Sequence, residues 1–364
     1  MDTGFTDDQL QFRDVVARFL GDKSPPAAVR EQMESARGYD TTVWAQLSGE
    51  LGLAGTHFPE ACGGHGFGAV ELGIIAQEMG RTLYCGPFFS SCVMAGSAIM
   101  NVASAQQQER LLPELAAGSR LATLVLGDVS TTDRVGQTIG ADNERLRGTA
   151  ALVVDAHIAD VFIVAAQAAG AVSFYEVAAS DVQVAPQQSL DPTRKLSTVT
   201  LDNAPAQRLG DSGDARIDLL WDQLSTALAH EMIGGAEHLF ESTIDYMKLR
   251  VQFGRAIGSF QALKHRCADL LLELELAKAM TFEAARYLAT GKGDAAAPSM
   301  AKSLASDAYL SIARQAIQLR GGIGFTWEED THLWFKRAKS SEVFLGTPSW
   351  HRERVIARME NSNV

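Results

Sequence analysis

Apolar residues recur at helical spacing in the first and last thirds of the chain and at strand spacing between them. Helical spacing begins at Thr6-Asp7-Asp8-Gln9, which predicts an N-cap threonine with a glutamine at the third helical position. Residues 57–68, HFPEACGGHGFG, interrupt the pattern, and the proline and glycines in this stretch predict a loop. Helical spacing then resumes, so the first segment is predicted to be helical.

The middle of the chain carries short β-rich runs separated by turn residues. They are LATLVLGDV, ALVVDA, DVFIVAA, VSFYEVA and LSTVTLD. Their spacing is typical of a small antiparallel sandwich or barrel. Long apolar-striped stretches follow, and these normally bury one face in a bundle. The sequence therefore predicts an α+β protein with an N-terminal helical domain at 1–118, a middle β sandwich or barrel at 119–212 and a C-terminal four-helix bundle at 213–364.

Composition and charge exclude several classes of protein. The 46% hydrophobic and 21% charged residues are ordinary for a globular protein, and no apolar run has membrane-spanning length. The acidic, amphipathic N-terminus does not resemble a secretory signal, so a cytoplasmic location is expected. A net charge of -12 argues against a nucleic-acid surface.

The four cysteines show no Cys-x-x-Cys pair and no histidine spacing typical of zinc, so no metal site is expected. We expect them to be reduced, mostly buried thiols. They are Cys62, Cys85, Cys92 and Cys267.

The first candidate for chemistry is RVQFGRAIGSFQ, residues 250–261. Arg250 offers a permanent cation for phosphate, Phe253 and Phe260 offer flat faces, and the glutamines offer amide donors and acceptors. This set suits a phosphorylated aromatic cofactor. Composition alone, however, favours a solvated loop between two helices with buried aromatics.

Two further motifs combine glycines with helix ends. In QLRGGIGFTWEED, residues 318–330, a helix runs into Gly321-Gly322, but the spacing is not the dinucleotide fingerprint and a Rossmann fold is excluded. In FLGTPSWHRERV, residues 344–355, a glycine turn precedes a basic helix that offers either an anion site or a solvated face.

In order, spacing and placement, these features resemble the acyl-CoA dehydrogenases. The resemblance spans nearly the whole chain and includes LGLAGTHFPEACGGHGFG, QFGRAIGSFQALKHRCADL and QLRGGIGFTWEED with the closing FLGT turn. It implies bound FAD, an acyl-CoA thioester substrate dehydrogenated to a trans-2-enoyl-CoA, an external electron acceptor and commonly a tetramer.

The resemblance also implies which residues contact FAD. The residues that match the segment reaching across a subunit interface to a neighbour's FAD are Arg250, Gln252, Phe253, Ile257, Phe260 and Gln261. Gln318, Gly321 and Gly322 match the other half of that contact. Thr347 matches the threonine of the family's Tyr-Glu-Gly-Thr turn, which also meets the cofactor.

The chain departs from the family at the catalytic base. The residue before the Gly-Thr pair is normally a glutamate, but here it is Leu345, which cannot take a proton. Some relatives place the base where this chain has Leu224. Glu231 lies two turns further along the same helical face and is a candidate for a displaced base. The simpler interpretation is that Glu231 is a partly exposed charge on a bundle helix. TLVLGDVS also replaces the usual Thr-Glu-Pro segment, which indicates a poor flavin pocket of its own.

The short length, the missing base and the FLGTPSWHRER ending resemble the smaller subunits of actinobacterial heteromeric acyl-CoA dehydrogenases, which act on bulky sterol-derived CoA thioesters. The leading hypothesis is a subunit that completes a cofactor site with a larger catalytic partner. The alternatives are an active homotetramer with a displaced base, a non-catalytic acyl-CoA-binding or scaffold subunit, and a relative of the flavin enzymes that handle oxygen.

Overall fold

The computed structural model describes residues 4–210 and 216–362. Six helices come first: α1 (Asp7–Lys23), α2 (Pro26–Glu34), α3 (Thr41–Ala45), α4 (Ala69–Arg81), α5 (Ser97–Val102) and α6 (Ala105–Ala116). The predicted N-cap is confirmed, because the Gln9 amide donates to Thr6 Oγ1 at 3.2 Å and the Thr6 amide donates to Gln9 Oε1 at 3.0 Å.

Eight strands form the central sheet. They are β1 (Ala122–Val125), β2 (Ile139–Asp142), β3 (Arg145–Val154), β4 (Val161–Ala168), β5 (Ala171–Ala178), β6 (Gln183–Gln187), β7 (Leu196–Pro205) and β8 (Gln207–Leu209). Their order is β6-β7-β3-β2-β4-β5-β8, with β1 paired to β4. The central β region is confirmed, but β1 and β2 run parallel to β4, so the expectation of a purely antiparallel arrangement was wrong there.

The helical spacing of the last third is also confirmed. The elements are α7 (Ile217–Leu249), the short strands β9 (Val251–Gln252) and β10 (Arg255–Ala256), α8 (Gln261–Thr290), α9 (Ala297–Arg320), α10 (Thr331–Val343) and α11 (Pro348–Ser362). In the described residues no helix combines the length and the apolar character needed to cross a membrane.

The chain divides into two compact units. One comprises Met1–Ala28, Gly73–Tyr84 and Ser225–Val364, and the other comprises Val29–Leu72 and Cys85–Leu224. The first segment of the sequence contributes to both units, so the boundaries at 118 and 212 remain predictions. The sheet lies in the second unit, where its core includes Phe162, Val164 and Tyr175. All four cysteines are buried free thiols, as predicted.

The unit that includes Ser225–Val364, called the helical unit below, is built around α9, which packs against α8, α10 and α11. Most of its buried residues are small, so neighbouring helices can approach closely. Glycines allow an equally close approach between α4 and α7, because a Cβ at Gly80 would lie 1.8 Å from the carbonyl oxygen of Glu231. Trp334 of α10 donates from Nε1 to the Gly80 carbonyl at 3.3 Å. Three helices therefore meet around Glu231.

Candidate active site

A tight hairpin follows α7 and carries most of the predicted cofactor residues. Strands β9 and β10 pair in antiparallel register, and the two residues between them, Phe253 and Gly254, have φ angles of 53° and 78°. Successive left-handed residues make the turn type whose twist matches a two-residue hairpin. The turn places Phe253 at the tip, where its side chain is 91% exposed.

The hairpin displays aromatic and cationic groups to the outside. The Phe253 and Phe260 rings meet edge to face at 6.1 Å, and the Arg255 guanidinium lies over the Phe260 ring at 4.0 Å. Arg250, Gln252 and Gln261 are also exposed. Within residues 4–210 and 216–362, Arg250 pairs with no carboxylate. An exposed aromatic tip among uncommitted polar groups is typical of a surface that binds another molecule.

The glycine loop that follows α9 is also open. Gln318, Gly321 and Gly322 are all exposed. Gly321 needs a left-handed φ of 65°, but Gly322 does not, and a Cβ at either would meet no atom within 4 Å. Packing inside the chain therefore does not require a glycine at 322, and the bare backbone is free for an approaching ligand or subunit.

Arg320, which the sequence analysis did not single out, ties this loop to the end of α7. Its guanidinium donates to Thr243 Oγ1 at 2.7 Å and to Ser242 Oγ at 3.0 Å, and it forms an ion pair with Glu329 at 3.0 Å. The Tyr246 hydroxyl donates to the Arg320 carbonyl at 3.2 Å. The hairpin and the glycine loop are thus anchored to the same end of α7. A lone arginine directly before paired glycines is the only sequence signal for this role.

The turn at Leu345-Gly346-Thr347 joins α10 to α11. Leu345 and Gly346 have positive φ angles of 57° and 99°. Leu345 is 0% exposed, whereas Thr347 is exposed. The Trp350 amide donates to Thr347 Oγ1 at 3.3 Å, which caps the start of α11. The turn therefore buries the residue at the base position and displays the threonine.

Two buried bases lie behind this turn. Lys302 Nζ donates to the carbonyls of Glu342 and Gly346 at 3.3 and 3.2 Å, and His351 Nε2 lies 2.9 Å from the Leu345 carbonyl. Burial lowers the pKa of His351 to about 2, so the ring is neutral and donates from Nε2. Sequence spacing did not indicate Lys302, because its two backbone acceptors lie 40 and 44 residues later in the chain.

The turn and the glycine loop do not meet within one chain. Lys302, which contacts the turn, and Arg320, which precedes the loop, lie on the same continuous helix α9. Eighteen residues of α-helix separate them by about 27 Å. The predicted cofactor residues thus form two groups, one at each end of α9.

Glu231 lies inside the helical unit and not at an exposed position. It is 6% exposed, and its Oε1 accepts from Nη1 of Arg337 on α10 at 2.9 Å. The interpretation of a partly exposed charge was therefore wrong, because α4 and α10 cover this face of α7. Leu224, the other alternative base position, is also buried. Whether Glu231 acts as a base remains a prediction.

The loop after β1, where the family's Thr-Glu-Pro segment is absent, is held by its own side chains. Asp128 accepts from the Ser130 amide at 2.8 Å and pairs with Arg134 at 3.2 Å. Burial favours the neutral acid, but the Ser130 and Arg134 bonds outweigh it and lower the pKa of Asp128. The Asp128 carboxylate therefore stabilises the loop itself.

The residues present fit FAD only in part. The exposed hairpin, the open glycine loop and Thr347 match what a phosphorylated aromatic cofactor needs: a cation, flat faces, amides and accessible backbone. These groups lie at opposite ends of α9. The residues therefore fit contacts to such a cofactor, but within one chain they do not come together in a single pocket.

Comparison with known proteins gives a consistent result. Residues 6–119 match the family model described as acyl-CoA dehydrogenase, N-terminal domain, and residues 224–360 match the model described as acyl-CoA dehydrogenase, C-terminal domain.

Individual relatives cover nearly the whole chain. Acyl-CoA dehydrogenase IpdE2 of Mycobacterium tuberculosis is 35% identical over 98% of this chain and 97% of its own length. Acyl-CoA dehydrogenase FadE34 of the same organism is 32% identical over 97% of this chain but only 48% of its own length. Among solved structures, a variant of the steroid ACAD Tcur3481-Tcur3483 superposes with a TM-score of 0.90 at 28% identity, covering 98% of this chain and 99% of that one.

Proposed function

Since the chain belongs to the acyl-CoA dehydrogenase family, we propose that it is a subunit without its own catalytic base in a heteromeric dehydrogenase of a steroid-derived acyl-CoA. The observation that carries the proposal is Leu345, which is fully buried at the position where the family has its glutamate. A leucine cannot take a proton, so in the proposed assembly the partner chain supplies the base. This chain contributes contacts to the cofactor site.

The split arrangement of the cofactor residues supports the same conclusion. The hairpin and the glycine loop lie at one end of α9, and the Gly-Thr turn lies at the other, about 27 Å away along the helix axis. Each group therefore serves a site that a neighbouring subunit completes. The exposed Phe253 at the hairpin tip is the group that would be covered on assembly.

The relatives favour a steroid substrate and a two-component assembly. The structurally similar Tcur3481-Tcur3483 is described as a steroid ACAD, and its name has two components. FadE34 is about twice as long as this chain and matches it over 48% of its length. A single polypeptide of that length is consistent with two such units working together.

In the reaction, bound FAD would accept the hydride equivalent released when the α- and β-carbons of the thioester become a double bond. Within this chain, Arg250 is positioned to hold a phosphate, and Phe253 and Phe260 are positioned to cover a flat ring. The bare backbone at Gly322 admits close contact. These residues bind and orient but move no proton.

The test is to purify the chain alone and again after co-expression with a larger acyl-CoA dehydrogenase subunit, and to record flavin absorbance and mass. We expect yellow protein only in the mixed assembly. Substituting the glutamate before the Gly-Thr turn of the larger subunit should then abolish turnover. As a matched control, Phe253→Asp here should prevent flavin uptake while leaving the chain folded.

Two outcomes would contradict the proposal. Stoichiometric FAD in a homotetramer of this chain would establish an independent enzyme and renew the search for a base. A mixed assembly without flavin would favour a non-catalytic acyl-CoA-binding or scaffold role.

A further inference from the structure

Lys302 is a lysine that is 0% exposed and has no carboxylate at ion-pair distance in the described parts of the chain. Its ammonium donates to Ser306 Oγ at 3.1 Å and to the carbonyls of Glu342 and Gly346 at 3.3 and 3.2 Å. A buried lysine is costly unless its donors are satisfied. Two of the three acceptors are backbone carbonyls, one just before the Leu345-Gly346 turn and one within it.

The carbonyls it binds include one at the C-terminal end of α10. The last carbonyls of a helix have no partner within the helix and carry its negative dipole end, which favours a nearby cation. Lys302 therefore satisfies Glu342 electrostatically as well as by a hydrogen bond. From α11, His351 supplies the bond to the carbonyl of Leu345. The turn is thus held by two buried side chains from two helices.

The turn has a conformation that needs such support. Leu345 is a non-glycine residue at φ 57°, and Gly346 follows at φ 99°. A left-handed conformation is strained for any residue that carries a Cβ. The next residue is Thr347, so any relaxation of the turn moves the threonine that the proposed function assigns to the cofactor.

We propose that Lys302 is a positioning residue which, from behind the turn, fixes the backbone of residues 345–347 so that Thr347 keeps its place at the flavin. This inference rests on the proposed function for its ligand, but its structural half concerns this chain alone. Lys302 touches neither cofactor nor substrate and acts only through the turn.

The charge on Lys302 makes the arrangement sensitive to pH. Burial lowers its pKa to about 7, and Glu342 and Asp307 act in the opposite direction. On α11, the positive charges of Arg354 and Arg358 act on His351, which burial keeps neutral. Below about pH 7 the ammonium is charged and holds the carbonyls firmly. Above it the neutral amine still donates but loses the attraction to the helix end, so flavin binding should weaken.

The experiment uses the flavin-containing assembly with the larger subunit and the variant Lys302→Met, which keeps the side-chain length and removes charge and donors. Flavin dissociation is measured by fluorescence at pH 6 and pH 8.5, and amide hydrogen exchange is followed across residues 341–352. We expect at least tenfold weaker flavin binding for the variant at pH 6, no remaining pH dependence, and faster exchange confined to this segment.

Two controls separate positioning from stability. Ile312→Ala removes a buried side chain elsewhere on α9, so it should destabilise the fold without changing flavin affinity or exchange in the turn. Ser306→Ala removes one of the three lysine contacts, and its effects should lie between those of wild type and Lys302→Met.

The hydrogen-exchange measurement does not need flavin. It therefore tests whether Lys302 fixes the backbone of residues 345–347 even when the assembly binds no flavin. Normal exchange in Lys302→Met overturns the inference whatever the cofactor does. Fast exchange with unchanged flavin affinity overturns it too, because Lys302 is then only structural. A wild-type assembly without flavin contradicts the proposed function instead.

Discussion

Glu231 and Arg337 form a buried ion pair between α7 and α10. Both side chains are buried, and the Glu231 Oε1 to Arg337 Nη1 distance is 2.9 Å. Taking two charges out of water costs free energy that only their mutual attraction and hydrogen bonds offset. Each charge therefore stabilises the other. A carboxylate held to a guanidinium in this way is poorly placed to take a proton from a substrate carbon.

We predict that Glu231→Gln destabilises the protein without abolishing turnover of the assembled enzyme. Removing the negative charge of Glu231 from beside the buried Arg337 should lower the free energy of unfolding by roughly 3–5 kcal/mol. Chemical unfolding measures the stability, and a steady-state assay of the mixed assembly measures turnover. Adding Arg337→Met should recover much of the lost stability. A folded Glu231→Gln enzyme with turnover reduced a hundredfold or more would instead identify Glu231 as the displaced base.

At the scale of an element, the turn at Gly346 and the loop at Gly322 differ in why they contain a glycine. A Cβ at Gly346 would lie 2.5 Å from Trp350 Cε3, and the residue has a positive φ, so the fold itself requires this glycine. A Cβ at Gly322 meets nothing within 4 Å. Packing within the chain explains the first glycine, whereas it does not require the second.

We therefore predict opposite results for two otherwise identical substitutions. Gly346→Ala should lower stability by roughly 1–3 kcal/mol, because the new methyl both strains the backbone and collides with Trp350. Gly322→Ala should leave the thermal midpoint of the isolated chain unchanged but reduce flavin uptake in the mixed assembly. Thermal unfolding and flavin absorbance of both variants provide the comparison. Full flavin uptake by Gly322→Ala would show that nothing approaches this loop.

Elements with strong local signals could be predicted from the sequence. The capping box at Thr6 and the buried strands β4 and β5 carry their own patterns and were found. Strands β2, β6 and β8 were missed because they are short and mostly exposed, so they lack a buried alternation. Their positions are fixed by pairing with longer neighbours.

The site residues also divide into those with a local sequence signal and those whose surroundings depend on long-range packing. Contiguous motifs such as the hairpin and the glycine loop could be recognised, although their predicted contacts with FAD remain untested. The environment of Glu231 could not be predicted, because Arg337 lies 106 residues away in sequence. The support of the turn by Lys302 depends on packing between α9 and α10 in the same manner. Long-range packing, which no local pattern encodes, decides both.

At the scale of the whole molecule, several histidines are kept neutral by burial. Burial lowers the pKa of His57, His230 and His238 to about 4 each, and that of His351 to about 2. One carboxyl acts in the opposite sense, since burial raises the pKa of Glu78 to about 7. Each of these groups binds protons differently in the folded and unfolded states, so each makes stability depend on pH.

The sign follows from which state binds more protons. Below the ordinary histidine pKa of 6.5 the unfolded chain binds protons, whereas the buried rings stay neutral until about pH 4. The free energy of unfolding therefore decreases as the pH is lowered across this window. Each such histidine contributes about 1.4 kcal/mol per pH unit there. Glu78 opposes this between pH 4.5 and about 7, because the folded state holds its proton more tightly. Because four histidines act in one direction and one carboxyl in the other, the net effect of acidification is a lower free energy of unfolding.

We predict that the free energy of unfolding falls steeply between pH 6.5 and pH 4, and that His238→Gln makes the fall shallower by close to one proton. His238 is the suitable target because it stacks on Trp334 at 4.1 Å, where a flat amide can replace the ring. Urea unfolding at several pH values gives the slope, and the same substitution at the exposed His265 is the control. An unchanged slope in His238→Gln would mean that this ring is already protonated in the folded protein. In that case a counter-charge close to the α7–α10 contact, and not burial, would govern its titration.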